Sequence, residues 1–189
     1  MSIYKKIIAT MLLGVLYATS ANAFDDKKEG LIIGLGAGIS LSSTDFSSAY
    51  SGWSTGRADA ELGVATSFKL GYGFNENYTL YYFRNSAFVH GYSKDPNERT
   101  YGNCVTGLGM NYYMDDSDFY VLAGLGVGQL SKLADSERHA QRGFGAIAGV
   151  GYEYADHVQL EINYLATRVD DDIKLSTDAL QFTLNYYFY

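Results

Sequence analysis

The final ten residues of the chain alternate between two kinds of side chain. The residues at even positions are apolar or aromatic: Leu180, Phe182, Leu184, Tyr186 and Phe188. The four residues between them are Gln181, Thr183, Asn185 and Tyr187, of which the first three are polar. A period of two predicts a β-strand, because successive side chains of a strand point to opposite faces. A strand this apolar needs a hydrogen-bonding partner on each edge and an apolar medium against one face, and a closed barrel in a bilayer supplies both.

The same alternation recurs along the whole chain and predicts about eight strands. They cover residues 31–41, 60–74, 78–91, 101–114, 118–130, 141–154, a segment from residue 158, and 180–189. Short turns alternate with longer polar connections. This asymmetry predicts an all-β fold, namely an eight-stranded antiparallel up-and-down transmembrane β-barrel with short periplasmic turns and long extracellular loops.

The beginning of the chain has the features of a cleavable export signal. Lys5 and Lys6 precede an apolar run, residues 7–18, which is shorter than the roughly 20 residues of a spanning helix. Ala21 and Ala23 match a small-x-small cleavage site. We therefore predict a signal peptide at residues 1–23 and a barrel domain at residues 24–189; an uncleaved anchor helix is the alternative.

The charge balance excludes two classes of partner. Removal of residues 1–23 takes away two of the 14 basic residues and none of the 21 acidic ones, so the net charge of the remainder is 12 − 21 = −9. This sign disfavours a nucleic-acid binder and a polybasic lipid binder. The single cysteine, Cys104, cannot form an intramolecular disulfide.

Glycine distinguishes a membrane barrel from a soluble barrel of the lipocalin kind. In the predicted strands, 15 of the 21 glycines fall on the face opposite the apolar one. A water-facing exterior gains nothing from such a stripe, whereas the interior of an eight-stranded barrel is barely wide enough for side chains. We therefore predict that the apolar stripe faces lipid and that glycine makes room in the lumen for larger residues such as Tyr113 and Tyr120.

Six charged residues are predicted to form a polar network in the lumen: Glu61, Lys69, Arg84, Arg142, Glu153 and Glu161. Arg84 is assigned to the lumen because an arginine facing lipid near the midplane costs about 2–4 kcal/mol. That register places four neighbours on the outer face: Tyr81, Phe83, Ala87 and Val89. Buried charges persist when they are paired, and eight strands leave no open aqueous channel. The prediction is a packed polar core, with an ion pathway as the alternative.

The sequence offers no assembled catalytic, cofactor or metal site. His90, His139 and His157 are scattered, and although Ser93 follows His90 closely, no clear acidic residue completes a triad. The glycine-rich run at residues 34–38 is not followed by a helix, so it does not predict a nucleotide-binding loop. The acidic runs lack the spacing of a calcium loop. We therefore predict a protein without catalysis or cofactor.

The first long polar connection is the candidate binding surface. It combines a flexible serine- and glycine-rich backbone with the anchors Phe46, Tyr50, Trp53 and Arg57. Aromatic and arginine anchors on adaptable loops are typical of binding surfaces. The alternative is a loop that folds over the mouth of the barrel, and the sequence leaves both open.

The strand pattern and the final strand resemble the small eight-stranded outer-membrane proteins of the opacity, Ail and OmpX type. The resemblance covers nearly all of residues 24–189. In that family the terminal strand is read by the outer-membrane assembly machinery, and the matching residues here are Leu180, Phe182, Leu184, Tyr186 and Phe188. The pattern ends on Phe188, so Tyr189 is one residue beyond the family's ending.

The resemblance implies a location in the Gram-negative outer membrane. It also implies contacts with outer-membrane lipids, including lipopolysaccharide, with the assembly machinery, and with a host surface ligand. The implied function is a non-catalytic surface protein whose extracellular loops serve adhesion, resistance to host defences or envelope structure. The alternatives are a narrow porin-like channel for small solutes or ions and a lipid A-modifying outer-membrane enzyme, since some barrels of similar outline act on lipid A.

Overall fold

Eight antiparallel strands close into a barrel. The computed structural model describes residues 29–46, 56–57, 60–90, 100–115, 117–132, 141–170 and 174–188. The strands are β1 (Gly30–Phe46), β2 (Glu61–Gly73), β3 (Tyr78–His90), β4 (Thr100–Tyr113), β5 (Phe119–Lys132), β6 (Gln141–Ala155), β7 (Val158–Asp170) and β8 (Lys174–Phe188). Each strand pairs with the next, and β1 also pairs with β8. The predicted up-and-down barrel is confirmed.

Two strands extend further than the sequence pattern predicts. β1 continues to Phe46 and β8 begins at Lys174, six residues before the predicted start. In these extensions the outward positions become polar, so the apolar alternation ends although the ladder continues. The hydroxyls of Thr44 and Thr177 lie 3.1 Å apart and join the two extensions on the inward face. Both strands therefore rise beyond the apolar band.

The register of closure fixes the dimensions of the barrel. A row of paired residues that starts at Leu35 returns to β1 at Asp45, a displacement of 45 − 35 = 10 residues. The row passes through Phe68, Arg84, Thr106, Val127, Phe144, Arg168 and Ser176. With about 3.3 Å per residue and about 4.8 Å between strands, the strands tilt by about 41° and the backbone radius is about 8 Å. Such an interior holds side chains and little else.

The outer face is a belt of exposed apolar side chains. Leu62, Leu108 and Leu125 are exposed by 66%, 64% and 61%, although hydrophobic side chains of a water-soluble barrel would point inward. The belt runs around all eight strands and is far larger than the apolar patches that soluble proteins tolerate. The predicted orientation, with the apolar stripe toward lipid, is confirmed. Within the described ranges no helix is long and apolar enough to cross a membrane.

Aromatic rings concentrate at the end of the barrel that carries the short turns. Cross-strand pairs bring Tyr78 to Tyr112 and Phe119 to Tyr152, with ring centroids 5.0 and 4.7 Å apart. Amphipathic rings favour the headgroup boundary. This girdle marks the periplasmic edge of the apolar band.

Arg84 lies on the outer face, so the predicted register of β3 is wrong. It is exposed, and it is paired with Phe68 and Thr106 in neighbouring strands. The residues that the prediction placed outside are all buried in the lumen: Tyr81, Phe83, Ala87 and Val89.

The inward packing of β3 decides its register. The rings of Tyr81 and Phe83 fill the space above Gly109 in β4, where an added Cβ would lie 2.7 and 3.2 Å from them. Because side chains alternate, a one-residue slip would move every residue of the strand to the other face. Since the outer face also meets an apolar medium, the gain comes from the packing contacts of the two rings in the lumen, and loss of one such ring from a core costs about 3–5 kcal/mol. Together they outweigh the cost of one arginine facing lipid.

We predict that Arg84→Leu raises the free energy of unfolding in zwitterionic bilayers by about 2–4 kcal/mol, because it removes a charge from the lipid face. Urea titration of the protein folded in phosphatidylcholine vesicles measures this change. Thr106→Leu, at the paired position of β4, controls for added apolar area. An unchanged or lower free energy of unfolding for Arg84→Leu would contradict the assignment of this residue to lipid.

Candidate functional site

A buried ion pair between Lys69 of β2 and Glu161 of β7 lies in the periplasmic half of the lumen. Both residues are only 2% exposed, and Lys69 Nζ donates to Glu161 Oε1. The same oxygen accepts hydrogen bonds from the hydroxyls of Tyr120, at 2.7 Å, and Tyr187, at 3.0 Å. Asn163 Nδ2 donates to the other carboxylate oxygen at 2.9 Å. A buried carboxylate with four donors is well compensated for its lost hydration.

Aromatic rings complete the environment of the lysine. Lys69 Nζ lies 4.9 Å from the ring centroid of Tyr81 and 5.6 Å from that of Tyr187, within range of cation–π attraction. The Tyr81 hydroxyl donates to Asn111 Oδ1 at 2.7 Å. These contacts hold the cluster in one arrangement and leave none of its charges facing water.

Glycines give the tyrosine rings the room they occupy. A Cβ added at Gly151 would lie 2.0 Å from Cζ of Tyr120, and one at Gly34 would lie 3.0 Å from Cε1 of Tyr187. The sequence prediction that lumenal glycine accommodates large residues is confirmed for Tyr120. These rings therefore pack directly against the backbone of β6 and β1.

The extracellular half of the lumen combines apolar clusters with buried polar side chains. Thr167 Oγ1 donates to Asn103 Oδ1 at 2.8 Å, and Asn85 Nδ2 donates to Gln181 Oε1 at 3.2 Å. Phe83, Val105, Ile147 and Leu165 belong to one buried cluster. A second cluster lies nearer the mouth and consists of Leu130, Val169 and Leu175. Residues lining a water-filled pore would be accessible to water, whereas these side chains are 0–6% exposed. Through the described strands, the lumen is therefore a packed core.

The structure brings together two of the six charges predicted for the lumenal network. Glu61 and Glu153 are half-buried on inward positions at opposite ends of the barrel. Arg142 is wrongly assigned, like Arg84, because it shares the outer face with Phe144 while Gly143 faces inward. It lies at the extracellular end of β6, where a guanidinium reaches the headgroups.

Sequence reasoning missed an ion pair on the outer face. Arg168 Nη2 of β7 donates to Asp178 Oδ1 of β8 at 2.7 Å, close to the extracellular edge of the apolar band. The backbone carbonyl oxygens of Thr167 and Thr177 also accept hydrogen bonds from Arg168 Nη1. The pair becomes recognisable only when the register between β7 and β8 is known.

The described histidines do not share a site. His90 lies at the extracellular end of β3, with Nδ1 3.1 Å from Thr100 Oγ1. His157 lies in the turn before β7 and has a left-handed backbone, with φ of 67°. His139 and Ser93 lie outside the described residues. Within those residues no group of three metal-binding side chains comes together.

The candidate binding connection is described only at its base. Backbone pairing joins Asp45 to Arg57 and Phe46 to Gly56, so the two sides of the connection leave the barrel as a short ladder. Tyr50 and Trp53 lie outside the described residues. The binding role of these anchors stays a prediction.

The residues matching the assembly signal all lie on the outer face of β8. They are Leu180, Phe182, Leu184, Tyr186 and Phe188. Phe188 is paired with Ile33 of β1, so this strand forms the seam that closes the barrel. Their recognition by the assembly machinery stays a prediction.

We predict that Glu161→Gln lowers the free energy of unfolding by about 3–5 kcal/mol, because it leaves the buried Lys69 charge without its counterion. The double variant Lys69→Met/Glu161→Gln removes both charges and should recover most of the loss. Urea unfolding in lipid vesicles measures both values as a double-mutant cycle. A loss in the double variant equal to the sum of the losses in Glu161→Gln and Lys69→Met would show that the pair is not coupled.

Substitution of a lumenal glycine should cost more stability where an added Cβ would lie closer to its neighbours. We predict that Gly151→Ala lowers the free energy of unfolding by about 1–3 kcal/mol, because its Cβ would overlap the ring of Tyr120. Gly34→Ala, where the nearest ring atom is 3.0 Å away, should lose less. The reverse order in urea titrations would contradict the packing described here.

Known proteins share this architecture at low sequence identity. Ail of Yersinia pestis, crystallised with the heparin analogue sucrose octasulfate, matches with a TM-score of 0.57 and 14% identity over 85% of this chain and 99% of Ail. Neisserial surface protein A matches with a TM-score of 0.55 and 14% identity over 84% of this chain and 97% of its own. OprG of Pseudomonas aeruginosa matches with a TM-score of 0.50 and 16% identity over 86% of this chain and 98% of OprG. At such identities the likeness shows the fold alone.

The sequence itself also carries a family assignment. No curated protein matches it at a significant level. The sequence model of the outer membrane protein beta-barrel domain matches residues 11–188, which is nearly the whole chain. This match agrees with the closed barrel and its lipid-facing belt. The chain therefore belongs to the outer membrane protein β-barrel domain family and is a protein of the Gram-negative outer membrane.

Proposed function

We propose that this protein is a non-catalytic surface barrel whose extracellular connections bind a partner outside the cell. In this proposal residues 1–23 direct export and residues 24–189 form the barrel. The partner would be a ligand on a host surface or another component of the envelope. The strands then serve as a rigid base that holds the connections in fixed positions.

The filled lumen is the observation that carries the proposal. Lys69, Glu161 and Tyr120 pack the periplasmic half, and Phe83 and Leu165 pack the extracellular half, with 0–2% of each side chain exposed. A solute pathway would need this core to open, and opening would separate the buried carboxylate of Glu161 from its four donors. A role at the surface needs no such change.

The charges of the connections indicate which ligands suit them. Residues 47–60, 91–99, 133–140 and 171–173 contain four basic and seven acidic residues, so their net charge is 4 − 7 = −3. Ail of Yersinia pestis was crystallised with a sulfated heparin analogue. A polyanion of that kind is repelled by this charge. The connections are better matched to a neutral or cationic ligand that is held by aromatic contacts such as Trp53.

We expect cells that display the protein to gain adhesion to epithelial monolayers or survival in serum, relative to cells that do not. Deletion of residues 47–55 should abolish the gain, because it removes Tyr50 and Trp53 while the base of the connection remains paired. Trp53→Ala alone should reduce adhesion at least tenfold if this side chain is an anchor. Surface level and heat-modified electrophoretic mobility verify that the variants fold.

A matched control replaces a residue of another connection. Asp135→Ala should leave adhesion unchanged if residues 47–55 form the binding surface. Full adhesion and serum survival after deletion of residues 47–55 would refute the assignment of binding to this connection. In planar bilayers the purified protein should give no conductance steps above background. Reproducible steps would instead support the narrow channel.

A further inference from the structure

A small polar stripe interrupts the lipid-facing belt around Arg84. The arginine is the seventh of the 13 residues of β3, so it lies halfway along the strand. Thr106 of β4 is paired with it on the outer face. The next outward residue of β3 toward the extracellular end is Ser86, which is paired with Thr66 of β2 and Cys104 of β4. Cys104 Sγ lies 3.6 Å from Thr106 Oγ1. Elsewhere at this height the described outward positions carry aliphatic or aromatic side chains.

The guanidinium of Arg84 has no counterion among the side chains of the described strands. Among the residues that the structure describes, no carboxylate and no hydrogen-bond acceptor contacts it. Arg168, which also lies on the outer face, differs in this respect because it is paired with Asp178. A charge held at membrane depth requires a partner, and its presence indicates a functional site. An anionic lipid of the surrounding membrane is able to supply that partner.

The reach of the side chain defines where that partner lies. Arg84 is six residues from Tyr78 in the periplasmic girdle, which is about 15 Å along the axis of a barrel with this tilt. A fully extended arginine adds roughly 6–7 Å toward the extracellular side. This brings the guanidinium to within one hydrogen bond of the upper edge of an apolar band about 25 Å tall. On that side the outer face carries the small side chains of Ser86 and Cys104, which are largely covered.

An apolar groove adjoins the stripe. It lies on the outer face between β4 and β5, has a volume of about 660 Å³, and is lined by Leu80, Thr106, Leu108, Met110 and Leu125. Glycines 107, 109, 124 and 126 form its floor. Thr106 belongs to both the groove and the stripe. A cation at the top of an apolar groove matches an anionic head above a hydrocarbon chain.

A second copy of the chain is a poor occupant. A symmetric dimer with its axis along the membrane normal would bring two Arg84 side chains together at the same height. Like charges in a medium of low dielectric constant repel strongly. An anionic lipid of the outer leaflet meets both requirements of the site.

We propose that Arg84 and the adjoining groove form a binding site for lipopolysaccharide, in which Arg84 contacts a phosphate and the groove holds an acyl chain. The site is independent of the extracellular connections and of the function proposed for them. It places an ordered lipid against β3, β4 and β5. The lipid phosphate neutralises the charge that the described strands leave unpaired.

Retention of lipid tests the proposal directly. The protein is folded in phosphatidylcholine nanodiscs that contain a small fraction of rough lipopolysaccharide, released into mild detergent, and examined by native mass spectrometry. Arg84→Gln should reduce the retained lipopolysaccharide about tenfold, whereas Arg84→Lys should keep most of it. Lipopolysaccharide stripped of its phosphates should bind the wild-type protein as weakly as Arg84→Gln binds the intact lipid.

Arg142→Gln is the matched control. It removes the same charge from the outer face, three strands away from β3, and should leave retention unchanged. Equal retention by wild type and Arg84→Gln, an equal loss in Arg142→Gln, or full retention of the dephosphorylated lipid would each overturn the proposal. A membrane polypeptide that crosslinks to the wild-type protein but not to Arg84→Gln, with lipid retention unchanged, would overturn it in favour of a protein partner.

Discussion

The closed hydrogen-bond ladder is the constraint from which the rest of this structure follows. In hydrocarbon every backbone N–H and C=O group must find a partner within the protein, and the pairing of β1 with β8 removes the last free edge. Closure with a displacement of ten residues sets the tilt and the radius of about 8 Å. That radius leaves room for one layer of side chains from each wall. The size of the lumen therefore follows from the backbone pairing and not from the side chains that line it.

Within this space, large and small residues must be complementary. Tyr120 lies against Gly151, and the hydroxyls of Tyr120 and Tyr187 satisfy the carboxylate of Glu161, which in turn neutralises Lys69. One ion pair thus draws tyrosines from two other strands to the centre of the barrel. Such a network fixes a single arrangement of the core, since each member would be buried without a partner if another were removed. A rigid core suits a protein that acts through its surface.

The outer face follows a different rule, because lipid penalises charge and accepts almost any apolar shape. Arg168 meets the rule through its pairing with Asp178, and Arg142 through its position at the extracellular edge. Arg84 departs from it. An arginine that faces lipid costs a few kcal/mol, which favours a lumenal arginine when the strand is considered alone. This cost is smaller than the packing energy that would be lost if Tyr81 and Phe83 left the lumen. Packing in the lumen thus places the charge of Arg84 on the membrane face. In our proposal an anionic lipid neutralises this charge.

The sequence by itself determined the number of strands, their order and the direction of the apolar face, because alternation and turn residues are local properties of the chain. Leu62, Leu108 and Leu184 lie outside as predicted, and the glycine stripe lies inside. The tertiary structure decided what depends on neighbouring strands. The register of β3, the outward positions of Arg84 and Arg142, and the Arg168–Asp178 pair all require knowledge of which residues face each other across the ladder. Packing energy is shared among strands that are distant in sequence. The pattern of one strand alone therefore does not show which of its residues depart from the expected face.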